Sequence, residues 1–198
     1  MLVLPVDVSA VIPTRGDVDL SKILKSIADA GITDTVVWDN SKRENLKVFA
    51  RYAAMAECKN DVVYVQDDDI FLPHTTIEGI IEAYEPGVIT ANMSEGWARG
   101  RNMLDAVQVG AGAVLDRSIP PKAFAKYDTI FPRDEMFYLY TDALVAIPSK
   151  IKRVDLPLEV LGWGYAPNRM NTLPDFNECF QESLARGRAV RDAFGGKE

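Results

Sequence analysis

Apolar positions in the first half of the chain follow two alternating rhythms. Residues 6–12 form an apolar, β-branched run that stops at Pro13, which predicts a strand. Leu20, Ile23, Leu24, Ile27 and Ala28 then take the i, i+3, i+4, i+7 and i+8 positions of a helix face, closed by Gly31. Residues 35–38 predict a second strand, and Leu46, Phe49, Ala50 and Ala53 a second amphipathic helix. Residues 62–65 predict a third strand, and Ile77, Ile80, Ile81 and Tyr84 a third helix. A strand–helix alternation with short connections implies a parallel sheet joined by right-handed crossovers.

The second half is less regular. Residues 87–93 and 107–115 read as strands, with a polar, arginine-containing loop over 94–102 between them. Residues 120–127 and 133–146 read as partly helical, and 151–160 as extended, broken by Pro157. A Gly- and Pro-punctuated stretch, 162–174, precedes a terminal helix carried by Phe176, Phe180, Leu184 and Val190. Without an internal repeat, a low-complexity segment or a linker, the 198 residues are read as one α/β domain.

Composition changes this picture little. Hydrophobic residues make up 47% and charged residues 26%, as in ordinary globular chains. No apolar run reaches the ~18 residues of a membrane span, and the apolar start is too short for a signal peptide, so the expectation is a cytoplasmic protein. Cys58 and Cys179 lack metal-ligand spacing and are expected to be buried free thiols. Charge matters more. The net charge is −7, with 14 basic and 22 acidic side chains over residues 1–149 and 8 and 7 over the remainder. That balance disfavours a general polyanion binder while leaving room for a local basic groove.

Ligands of open parallel sheets bind beyond the carboxyl ends of the strands. Here those ends carry Pro13-Thr14-Arg15-Gly16-Asp17, then Asp39-Asn40-Ser41, then Gln66-Asp67-Asp68-Asp69. Adjacent carboxylates ~5 Å apart repel by roughly 3 kcal/mol per pair at an effective dielectric of about 20. Directly after an apolar strand, such a triplet suits Mg²⁺ or Mn²⁺ bound with water and phosphate oxygens. The competing reading is an acidic loop that complements the dipole of the helix after it. Gly110-Ala111-Gly112 has no following glycine and helix, so it is no dinucleotide fingerprint and reads as a close backbone approach. His74 is the single histidine, which excludes a Ser-His-Asp apparatus unless His74 itself serves; the helix entry after Pro73 is its structural reading.

Val-Ile-Pro-Thr-Arg after strand one, Trp-Asp-Asn-Ser after strand two and Val-Gln-Asp-Asp-Asp-Ile after strand three resemble the GT-A glycosyltransferases with their DxD motif. Residues 108–117 and 140–145 are similar to segments of the exostosin-like branch, with Thr141 standing where that branch commonly has Glu. The resemblance covers roughly residues 6–150. It implies a single GT-A (Rossmann-like) domain, with a mostly parallel central sheet flanked by helices. Residues 1–93 would form the nucleotide-sugar-binding half, 94–174 the acceptor side with a lid, and 175–198 a C-terminal helix.

The resemblance also implies roles. Pro13, Thr14 and Arg15 would line the nucleotide pocket, with Asp39 near the base or ribose. Asp67 would approach the ribose, donor sugar or metal, Asp68 would shape the donor turn, and Asp69 would hold Mn²⁺ or Mg²⁺ at the diphosphate. GT-A enzymes often add a histidine ligand from the C-terminal part, but this chain has none after His74. Asp142 matches the acid near the acceptor hydroxyl and is the candidate catalytic residue; its competing reading is a helix N-cap. Trp97, Arg99 and Arg101 are candidate acceptor contacts, and Trp163 and Arg169 candidate lid residues, with plain loops and turns as the alternative.

The activity so implied is metal-dependent transfer of a sugar from a nucleotide-sugar donor, a UDP-sugar, to a hydroxyl acceptor. The acceptor is read as a glycan or a hydroxymethylated base in DNA. The latter needs a flipped or single-stranded nucleotide, and would use Arg99, Arg101 or the helix bearing Arg186, Arg188 and Arg191. The alternatives are a sugar-phosphate nucleotidyltransferase, whose glycine-rich basic loop is met here by Gly16 alone, and a non-catalytic nucleotide-sugar binding module.

Overall fold

A computed structural model describes residues 6–162 and 174–195 of the chain, and in it the three apolar runs of the first half are neighbouring parallel strands. They are β1 (Val8–Thr14), β2 (Asp34–Asp39) and β3 (Val62–Val65), separated by α1 (Ser21–Asp29) and α2 (Ala50–Ala54). A short β4 (Ile70–Phe71) and α3 (His74–Glu82) lead to β5 (Val88–Asn92) and α4 (Glu95–Gly100). Then follow β6 (Ala113–Asp116), α5 (Ile119–Tyr127), α6 (Glu135–Leu139), α7 (Thr141–Ala146), β7 (Lys150–Val154), β8 (Glu159–Val160) and α8 (Phe176–Ala193). The six-stranded sheet has the order β2-β1-β3-β6-β5-β7, and β4 pairs with β8 in a separate ribbon. Within the six-stranded sheet, β6 runs against its neighbours.

Strand side chains alternate between two cores, one on each face of the sheet. Val11, Val63, Val65, Ala113 and Leu115 pack with Tyr52, Phe124, Leu144 and Leu184 from α2, α5, α7 and α8. Ala10, Ile12, Tyr64 and Val114 pack on the other face with Ile23 and Ile27 of α1 and Ile77, Ile80 and Ile81 of α3. A sheet buried on both faces explains why β1 and β3 read as continuous apolar runs. Because β6 is reversed, its first residue, Ala113, lies opposite Val65, so the loop entering β6 sits at the edge where β1, β2, β3 and β5 end.

Four local expectations are corrected. Residues 107–112 are an irregular turn, and the strand starts only at Ala113, because Gly112 adopts φ +99°. Residues 94–102 are mostly helix rather than loop: the Ser94 hydroxyl accepts the Trp97 N–H at 3.2 Å and starts α4. The second helix is a five-residue core between two 3-10 turns. Asn40 and Asn45 capture the N–H groups of Leu46 and Lys47, and Lys47 sits at φ +53°, so regular winding starts late. Cys58 is a buried thiol, but Cys179, near the start of α8, is partly exposed beside Asp175. Among the described residues no helix is long and apolar enough to cross a membrane.

The arginines of α8 are tied down within the fold. Arg188 and Arg191 both reach Asp105, at 2.9 and 2.8 Å, while Arg186 reaches Asp134 and Glu182, each at 2.8 Å. Hydrogen bonding by Arg188, then Arg191, outweighs burial and holds the Asp105 carboxyl down at about 2, below its unfolded value of 3.8. A depressed carboxyl contributes stability above its unfolded value and loses it as the pH falls towards the folded one. Replacing Asp105 with asparagine is therefore expected to cost about 1 kcal/mol at pH 6, allowing for solvent screening, and close to nothing at pH 2. Denaturant titrations of both proteins at the two pH values measure the difference.

Candidate active site

The aspartate triplet sits on a turn pinned at both ends. The Gln66 N–H donates to Val11 O at 3.2 Å, and its side-chain amide donates to Ile70 O at 2.6 Å. The Leu161 N–H donates to Asp69 O at 2.8 Å, so the described chain after β8 passes directly by the triplet. The three carboxylates then diverge. Asp68 is buried and accepts the Thr14 hydroxyl at 2.8 Å, locking the end of β1 to the end of β3. Asp67 turns towards α2, and Asp69 is half-buried.

Arg51 on α2 organises the centre. Only 3% exposed, its guanidinium holds Asp67 with Nη2 and Asp142 with Nη1, both at 2.6 Å. The second Asp142 oxygen takes the Tyr52 hydroxyl at 2.7 Å, and the Val109 N–H donates to the first at 2.9 Å. Asp142 is thus no N-cap: Tyr140 holds that position in α7, and the Asp142 carboxylate turns to Arg51 and Tyr52 instead. An aromatic cluster backs this arrangement, with Phe124 edge-on to Tyr52 at 5.5 Å and Phe137 5.3 Å from Phe124. Burial opposes the charge on Arg51, but Asp142 and Asp67 more than compensate and keep it cationic. Burial also raises the Asp67 carboxyl above its ordinary range; Arg51 counters this, while Asp69, Asp142 and Asp68 add repulsion.

Gly110 completes the centre. Its carbonyl accepts the Asp67 N–H at 2.8 Å, and a Cβ at this position would fall under 3.0 Å from the Asp67 carboxylate atoms. The constraint is steric, since Gly110 is not among the residues of positive φ. Alanine at 110 is expected to push Asp67 off Arg51, lowering stability by about 1–3 kcal/mol, in the range of overpacked sites. Ligand binding at this edge should fall with it, which thermal unfolding together with a nucleotide titration would reveal.

The other sequence-predicted residues occupy the same edge. Pro13 is buried within β1, which continues to Thr14, and Arg15 lies exposed beyond it, paired with Asp17 at 3.2 Å. Asp39 accepts the Ser41 hydroxyl at 2.6 Å and Lys42 at 2.7 Å; with Lys42 the largest contributor, these hold its carboxyl at about 2. Gly16, at φ +79°, leaves no Cβ to strike Asp39 and Ser41. Thr14, Gly16, Leu20, Val37, Asp39 and Lys42 border a cavity of about 350 Å³ between the ends of β1 and β2, within the size range of small-molecule sites. Trp97, Arg99 and Arg101 lie on and just after α4, which leaves the same edge from the end of β5. Trp163 and Arg169 lie outside the described residues.

No family model and no curated protein sequence matches the chain. Solved structures do. Glucosyl-3-phosphoglycerate synthase from Mycobacterium tuberculosis, in complex with Mn²⁺, UDP and phosphoglyceric acid, is similar at a TM-score of 0.54 and 14% identity, over 91% of this chain and 78% of that one. The fold is GT-A-like. The same enzyme with Mg²⁺ and UDP gives 0.52 over 91% and 79%. The likeness extends to 2-C-methyl-D-erythritol 4-phosphate cytidylyltransferase from Thermus thermophilus, at 0.50 and 14% identity over 92% of this chain and all of that one.

Within this GT-A-like fold, Arg51, Tyr52 and Val109 were not legible as site residues from the sequence. The available signal was a lone arginine in an otherwise apolar stretch, residues 48–55, where a buried cation demands carboxylate partners. The donor set suits a divalent cation. Three consecutive carboxylates crowd this edge: Asp67 is held by one buried guanidinium, whose other partner is Asp142, Asp68 accepts from Thr14, and Asp69 is half-buried. Among the described residues no three His, Cys, Asp or Glu groups converge on one point. The fit is therefore to an ion held by one or two carboxylates, with substrate oxygens and water as the remaining ligands.

Proposed function

We propose that the chain transfers a sugar from a nucleotide-sugar donor, a UDP-sugar, to a hydroxyl acceptor in the presence of Mn²⁺ or Mg²⁺. The observation that carries this reading is the Asp67–Arg51–Asp142 bridge, which links a carboxylate at the donor edge of the sheet to an acid from the second half within the span of one guanidinium. The cavity beside Asp39 takes the nucleoside, bounded by Thr14 and followed by Arg15, with Pro13 fixing the end of β1. Asp69, with Asp67, would hold the metal, which when bound would stabilise negative charge on the leaving diphosphate as a Lewis acid. Asp68 keeps the two loops in register through Thr14.

Asp142 orients the acceptor hydroxyl and receives its proton as the glycosidic bond forms. Its carboxylate is fixed by Tyr52, Arg51 and the Val109 N–H, so it is oriented before the acceptor arrives. A glycan hydroxyl is the acceptor class favoured here over a DNA base. Three of the arginines a polyanion would use, Arg186, Arg188 and Arg191, are committed to Asp134, Glu182, Asp105 and Asp192. The similarity to a cytidylyltransferase sustains a second reading, nucleotidyl transfer to a sugar phosphate.

Isothermal titration with UDP tests the donor half. Binding with Mn²⁺ present, weakened at least tenfold in a metal chelator, is expected. Folded protein that binds no UDP under either condition contradicts the proposal.

A further inference from the structure

A second cavity, of about 400 Å³, opens between the end of α4 and the first turns of α8, with Arg99, Arg101, Asn102, Asn177, Phe180 and Gln181 around it. Its position is functional by topology. β5 is parallel to β7 and, through the reversed β6, to β3, so α4 leaves the sheet at the edge that carries Asp67. Phe180 lies 6.5 Å from Tyr140, two residues before Asp142, and 5.8 Å from Phe176, against which it stacks.

The lining has a definite chemistry. The Arg101 guanidinium lies over the Trp97 ring, 4.6 Å from its centre, and among the described residues it has no carboxylate partner. Among the described residues Arg99 pairs only with Glu95, at 2.7 Å, through side chains about two-thirds exposed, a pairing that neutralises little. Most other arginines of the described chain are held by carboxylates or backbone carbonyls, as in α8, so an uncommitted guanidinium in a cavity of a −7 protein is an exception. Asn102, Asn177 and Gln181 add amide donors and acceptors of the kind that match hydroxyl groups, and the Asn102 amide reaches Gln181 at 3.4 Å. A planar guanidinium pairs two-pronged with carboxylate or phosphate.

We propose that this cavity is a subsite for a small polyhydroxylated molecule bearing one phosphate or carboxylate, held by Arg101 across the Trp97 ring and by the three amides. Its assignment as the acceptor subsite rests on the sugar-transfer reading above; its binding of the anion does not.

The test is a nuclear magnetic resonance titration of the whole protein with glucose 6-phosphate, glucuronate and, as the neutral control, glucose. The readouts are the Trp97 indole signal, assigned with W97F, and the side-chain amides of Asn102, Asn177 and Gln181. Saturable shifts with an anionic sugar and none with glucose are expected, and Arg101→Gln should weaken the anion at least about tenfold, the loss of one charge-assisted contact. Stronger binding of the phosphate points to a phosphorylated ligand and of the carboxylate to an acidic sugar; either supports the proposal. Equal shifts with glucose, unchanged affinity in Arg101→Gln, or a single-stranded oligonucleotide acting on the same signals at lower concentration would overturn it. A UDP titration with Mn²⁺ on the same samples reads the donor site separately. Anion binding without UDP binding contradicts the donor reading alone, and the reverse contradicts the subsite alone.

Discussion

Replacing Arg51 with methionine is expected to abolish sugar transfer and to lower the unfolding free energy by about 3–5 kcal/mol, the scale of breaking one side of a buried ion pair. Two carboxylates, 24% and 16% exposed, lose their shared cation, and the burial and repulsion that already raise the Asp67 carboxyl go unopposed. Lysine at this position keeps the charge but not the planar fork that spans both acids. It should recover part of the stability and little of the transfer. Denaturant unfolding separates the two effects from the assay. A methionine variant with native stability would show that Asp67 and Asp142 do not depend on the bridge.

Replacing Asp142 with asparagine is the second large effect. The substitution preserves shape, and an amide oxygen can still accept from Tyr52 or Val109. On the proposed reading it removes the group that receives the acceptor proton, a role worth about 10²–10⁴ in rate. The expected result is a fall in kcat by that factor while UDP affinity in Mn²⁺ stays within about threefold, since the cavity proposed for the nucleoside lies beside Asp39. A fall in UDP affinity matching the fall in rate would assign Asp142 to holding the donor loop instead.

Much of this centre was readable before the fold because strand ends in a parallel sheet gather distant motifs on one edge. Pro13 to Asp17, Asp39 and the aspartate triplet are three sequence-local clusters, and the sheet topology brings them together. Arg51 was not readable in that way. It falls on a short helix that the periodicity of Leu46, Phe49, Ala50 and Ala53 marks only as amphipathic, and its partners are 16 and 91 residues away. Side-chain pairing across such separations leaves no local pattern. Loop 94–102 was misread for a different reason: six helical residues are too few to show periodicity, and their order depends on the single cap from Ser94. The reversal of β6 has no signature in the residues of the strand itself; it follows from the chain staying at one sheet edge through α4 and residues 101–112, so that β6 starts where β5 ends.

The triplet also divides its work in a way that charge density alone did not reveal. Asp68 joins β1 to β3, and Asp67 joins the edge to Arg51. Asp69 is half-buried at the far end of the turn, where the chain after β8 passes. Its place there, next to the repelling Asp67 carboxylate, is why the proposal gives Asp69 the metal.

The most direct measurement of the central claim is the product formed. The protein would be incubated with Mn²⁺, a panel of UDP-sugars, and glycan and hydroxymethylated-DNA acceptors, with mass spectrometry of the acceptors and assay of released UDP. One acceptor is expected to gain a single sugar mass in step with UDP release, with neither event in a metal chelator. Unchanged acceptors, with pyrophosphate released instead from a nucleoside triphosphate and a sugar phosphate, would contradict it.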